Sequence, residues 1–148
     1  MSRDMTRVLP PGTYHLGDPS QILNRRDYEL MVAAIPDSYT ASGAGLCTVR
    51  GHILGVFSTG RGNGAYTARG AGQTHHIEVS SGVITLIPQE LWDASRARHA
   101  TTIIEAPNGF QTRRSDQGLR ISGFIRCQGR DVSPLTVSFD DPAPHSES

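Results

Sequence analysis

Glycine-flanked arginine, paired histidines and two cysteines are the features of this chain that could carry chemistry. The segment Gly60-Arg-Gly-Asn-Gly64 sets backbone amides beside a guanidinium, a combination suited to a small anion. It does not make a dinucleotide fingerprint, which needs G-x-G-x-x-G between a strand and a helix. Position 65 is Ala, and strand-like residues follow it. The plainer reading is a turn, because Asn63-Gly64 is a strong two-residue hairpin signal. If the segment does hold an anion, Arg61, Asn63, Tyr66 and His75 line the site, with Arg69 at the end of the same hairpin. Arginine would meet phosphate with two parallel hydrogen bonds, and Tyr66 would stack on a base.

Other candidates are weaker on their own chemistry. Adjacent strand residues point to opposite faces, so His75 and His76 cannot chelate one ion together. The chain holds no H-x-x-x-H, H-E-x-x-H or C-x-x-C, so no metal and no cofactor is expected. The better use of a histidine is one facing a pocket together with His15. Asp18 could act as a general acid, but its place before Pro19 favours turn capping. Cys47 and Cys127 could be nucleophiles beside a histidine; neither has a recognisable local context, and both read as buried free thiols. Arg113 and Arg114 point to opposite faces of a strand, and Arg96 and Arg98 are not neighbours on a helix face. Both pairs read as solvated surface, and Trp92 as a core anchor.

The chain has 148 residues, 14 basic and 14 acidic side chains, and no lysine: every basic residue is arginine. Zero net charge argues against polymeric nucleic acid as the partner. The absence of lysine excludes Schiff-base chemistry, a lysine base and a Walker-type phosphate loop. A GC-rich genome explains the arginines without function, although a pocket could still use a few of them. No stretch approaches the roughly 20 apolar residues of a membrane span, and Met1–Arg7 has no signal-peptide character. The expected setting is therefore cytoplasmic.

The elements that must position these residues are mostly short strands. Sixteen glycines favour tight turns over long helices. Residues 1–11 read as a flexible lead, 12–139 as one β-rich domain and 140–148 as a disordered tail. Eight or more short strands are expected, with turns every 8–12 residues, at 12–17, 46–50, 53–57, 65–69, 75–79, 83–87, 101–105, 110–114 and 119–125, and Ser133 to Phe139 could add an edge strand. Helices are expected at about 21–34, capped by Ser20 or Asn24, and at about 88–97, opened by Pro88. The expected class is mainly β (α+β): an antiparallel β-sandwich or small barrel with two short covering helices.

The order of the turn motifs resembles a family of small uncharacterised phage and bacterial proteins. Members of that family run from a Gly-Thr-Tyr strand into Gly-Asp-Pro-Cys-Tyr, and carry a central Gly-Asp-Gly-Xaa-Tyr. Here the corresponding residues are Gly12-Thr13-Tyr14, Gly17-Asp18-Pro19 and Gly62-Asn63-Gly64-Ala65-Tyr66, followed by Val79-Ser80-Ser81-Gly82 and Ile87-Pro88. Ser20-Gln21 stands where Cys-Tyr is usual, and Asn63 and Ser80 replace acidic residues. The resemblance implies a compact β fold and a phage setting. It brings no activity with it, and the missing carboxylates lower any metal or hydrolase reading.

The expected function is a non-catalytic β-domain that binds an anionic small molecule, such as a nucleotide-derived signal, in a host cytoplasm. The alternatives are a protein-interaction module, which would inhibit a host factor, antagonise host defence or form part of a virion, and a small hydrolase using Asp18. Homo-oligomerisation stays open. Convergence of three or more arginines would favour the binder over codon preference.

Overall fold

A computed structural model describes residues 5–35, 43–59, 64–80, 82–93, 102–115 and 117–143. Its strands in chain order are β1 (Met5–Leu9), β2 (Gly12–Gly17), β3 (Ala44–Val49), β4 (His52–Ser58), β5 (Gly64–Gly70), β6 (Gln73–Val79) and β7 (Val83–Pro88). They continue with β8 (Thr102–Ala106), β9 (Phe110–Ser115), β10 (Gly118–Gly123), β11 (Arg126–Cys127), β12 (Arg130–Asp131) and β13 (Leu135–Ala143). Two helices, α1 (Pro19–Ile22) and α2 (Arg25–Ala34), and a 3₁₀ turn at Gln89–Leu91 complete the described elements.

The strands form two antiparallel sheets, one of six strands in the order β1-β9-β10-β13-β5-β6 and one of seven in the order β12-β11-β8-β2-β7-β4-β3. The architecture is a sandwich, not a closed barrel. Side-chain alternation builds the core between the sheets. Tyr66, Leu119, Ile121, Val137 and Phe139 point inward from the six-stranded sheet, against Tyr14, Leu16, Phe57 and Leu86 of the other. A second apolar cluster lies on the far side of the seven-stranded sheet, where Ile22, Leu23 and Met31 cover Cys47, Leu54, Val56 and Ile87. The bidentate pair Arg50–Asp27, with contacts of 2.9 and 2.8 Å, ties α2 to the β3–β4 turn.

Three hairpins close in the same way. Arg50-Gly51, Ala71-Gly72 and Gln128-Gly129 each place two successive residues at positive φ, the requirement of the two-residue turn whose twist matches paired strands.

Several expectations are corrected. Residues 5–9 are not a loose lead: they form edge strand β1, held by the β9 ladder and by buried Leu9. The tail is strand as far as residue 143, and residues 144–148 lie outside the described residues. The helix expected at 21–34 is two helices, because Asp18 caps one and Asn24 caps the other. The helix expected at 88–97 is a 3₁₀ turn ending at Leu91, and residues 94–101 lie outside the described residues. Asn63-Gly64 does not close a hairpin, because β4 belongs to the seven-stranded sheet and β5 to the six-stranded one. Residues 60–63, between them, lie outside the described residues.

Candidate anion-binding face

The outer face of the six-stranded sheet follows from the inner one. In β9, Phe110 and Thr112 are buried while Gln111 and Arg113 are exposed; in β10, Leu119 and Ile121 are buried while Arg120 is exposed. The strand register then aligns one row across all six strands: Thr6, Arg113, Arg120, Thr136, Arg69 and Thr74. Adjacent strands lie about 4.8 Å apart, so Arg113 and Arg120 are about 5 Å apart at the backbone, and Arg69 is about 10 Å beyond Arg120.

Arg113 and Arg120 sit directly opposite one another on neighbouring strands. With Thr6, Gln111 and Ser122 they line a shallow depression of about 220 Å³. None of these five side chains is acidic. Among the described residues no carboxylate pairs with Arg69 or Arg120. Two guanidinium forks, two hydroxyls and an amide are donors matched to the oxygens of a phosphate or carboxylate. Arg114, next in sequence, turns inward: its Nε donates to the Ser58 carbonyl at 2.9 Å, and its guanidinium lies 4.6 Å from the Phe139 ring centre.

The residues expected to form a site do not converge. Arg61 and Asn63 lie outside the described residues. Tyr66 is 1% exposed and packs edge-on against Phe139 at 5.8 Å, so its ring is core and cannot stack on a base. Arg69 is on the outer face, whereas His75, one register position away opposite Ala68, turns inward at the sheet edge. His15 lies on the other sheet, buried and stacked 4.6 Å from Trp92, where burial lowers its pKa below the ordinary imidazole value. Trp92 is therefore a cover over His15 and not a fully buried anchor.

Asp18 is a structural latch. Its Oδ1 accepts from the Ser20 amide at 2.8 Å and hydroxyl at 2.7 Å, and its Oδ2 accepts from the Ser80 amide at 2.6 Å and hydroxyl at 3.1 Å. Both carboxylate oxygens are thus taken up in capping α1 and holding Ser80, the capping role that the place before Pro19 favours. Asp18→Ala is expected to lower stability by about 2–3 kcal/mol, the loss of charged hydrogen bonds at a buried acceptor. Urea unfolding followed by circular dichroism measures this.

The two cysteines are free and occupy opposite ends of the seven-stranded sheet, which leaves no disulfide between them. Burial pushes the Cys47 thiol up to about 11. Cys127 has a different neighbourhood: its Sγ lies 3.7 Å from His75 Nε2 beside a cleft of about 320 Å³ that Thr102 and Gln128 also line. Sequence reasoning did not find this pair, which joins two sheets, nor the alignment of Arg113 with Arg120. Comparison of the chain with protein-family models, curated proteins and solved structures finds no match.

Proposed function

We propose that the protein is a non-catalytic β-sandwich module that binds a phosphate-bearing small molecule on the outer face of its six-stranded sheet, at Arg113 and Arg120. The observation that carries this reading is the direct cross-strand pairing of two arginines in a depression lined by neutral donors. An anion bridging the two forks gains charge-assisted hydrogen bonds from each. Arg69, on the same row, extends the basic face without entering the depression. The order of turn motifs that resembles phage proteins is our only ground for naming the ligand class more closely, as a nucleotide-derived signal met in a host cell.

A thermal-shift titration tests the reading, using inorganic phosphate, a nucleoside monophosphate, a cyclic nucleotide and the parent nucleoside. The phosphate-bearing compounds are expected to raise Tm and the nucleoside is not. At 100 times Kd the stabilisation is about 2.7 kcal/mol, or about 5–10 °C for a domain of this size. The gain shrinks as salt rises, because the contacts are exposed. No shift with any compound at millimolar concentration overturns the reading.

A further inference from the structure

The cleft beside Cys127 lies where the two sheets part, with edge strand β6 on one side and β8 and the β11–β12 hairpin on the other. Exposed Thr74 and His76 stand on the β6 rim, and exposed Ile103 and Gln128 on the opposite rim. Thr102, only 8% exposed, turns inward opposite Leu16. Among the described residues, the side chains of Thr74, His76, Thr102 and Gln128 make no hydrogen bond to the rest of the protein. A buried hydroxyl without a partner is costly, and the cleft is where one can reach Thr102. Hydroxyl, imidazole and carboxamide groups all both donate and accept, so the lining matches ligand hydroxyls, which do the same. Ile103, 42% exposed, offers an aliphatic surface to the C–H face of a ring. The volume is about 320 Å³. At roughly 30 Å³ per water-sized group, it admits about ten non-hydrogen atoms, the size of one substituted ring.

Charge enters at one side of the cleft. Arg69 stands directly opposite Thr74 across the β5–β6 pair, and no described carboxylate pairs with it. Glu78, the acidic residue of β6, is four residues beyond Thr74, about 13 Å along the strand. We propose that this cleft is a second ligand site, independent of the Arg113–Arg120 depression, and that it takes a monosaccharide phosphate. The hydroxylated ring lies against Ile103 between Thr74, Thr102 and Gln128, and the phosphate meets the Arg69 guanidinium at the outer rim. His75 and Cys127, in mutual contact at 3.7 Å, form the inner wall.

Nuclear magnetic resonance of the full chain with ring-labelled histidine tests the proposal. The His75 and His76 signals report the cleft, and the Arg113–Arg120 depression is lined by no histidine. The probes are glucose-6-phosphate, glucose, inorganic phosphate and adenosine monophosphate. Glucose-6-phosphate is expected to move both ring signals saturably. Glucose and phosphate alone bind at least about tenfold more weakly, because each engages one part of the site. Arg69→Gln weakens glucose-6-phosphate about 10–150-fold, the loss of charged hydrogen bonds, and leaves glucose unchanged. Thr102→Val weakens both sugars about 2–10-fold without lowering Tm, because the hydroxyl it removes has no partner in the protein. No saturable movement at millimolar glucose-6-phosphate, or equal affinity in Arg69→Gln and wild type, overturns the proposal. Tighter binding of adenosine monophosphate at the same two signals overturns the assignment to a free sugar phosphate.

Discussion

Replacing Arg120 by glutamate is expected to weaken binding of a phosphate-bearing ligand at least about a hundredfold while leaving the protein as stable as before, or more so. The binding loss has two parts. One guanidinium leaves, and hydrogen bonds to charged groups contribute about 1.5–3 kcal/mol each, or about 10–150-fold. A carboxylate then stands where the anion must sit. Stability moves the other way, because Arg120 faces Arg113 across the β9–β10 pair. Exchanging a like-charge pair for an opposite-charge pair gains about 0.2–1 kcal/mol. A variant that melts later and binds worse separates a ligand-binding role from a structural one. Isothermal titration and a melting curve on the same sample read both quantities. Equal affinity in Arg120→Glu and wild type removes the face from consideration as the site.

Phe139→Ala is expected to cost about 3–5 kcal/mol, the range for deleting a fully buried aromatic ring. Phe139 is 0% exposed, meets Tyr66 edge-to-face and lies under the Arg114 guanidinium. Its loss opens a cavity between the sheets and removes the ring that Arg114 covers while that side chain holds the end of β4. For a chain of this length the cost corresponds to a fall of about 6–20 °C in Tm. Differential scanning calorimetry measures it; a fall below about 3 °C shows that the interface refills.

The sandwich was legible because short alternating runs and turn glycines repeat along the chain, and helix α2 was legible from Asn24 and its apolar spacing. What failed was mostly non-local. Residues 5–9 carry few strand signals of their own and become β1 only because β9 offers a ladder. Asn63-Gly64 is a strong local signal overridden by the partition of its flanking strands into different sheets. The Arg113–Arg120 pair was within reach. The turn at Ser115-Asp-Gln-Gly118 fixes the register, and both arginines lie two residues from its ends. Reading the arginines strand by strand hid what the hairpin puts together. The Cys127–His75 contact spans 52 residues and two sheets, so no spacing in the sequence announces it.

The row that crosses the six-stranded sheet has one further effect. Strand spacing sets the gaps between its three guanidinium-bearing positions, close to 5 Å and then close to 10 Å, and loop sequence cannot alter them. On the proposed function, the face would act as a ruler. A ligand with one anionic group would be held at Arg113 and Arg120 alone. A ligand whose second anionic group reaches about 10 Å further would meet Arg69 in an intramolecular step, at an effective concentration in the millimolar range. Ligand length, and not only charge, then becomes a quantity this face can select, and moving Arg69 by one strand would change the length it prefers.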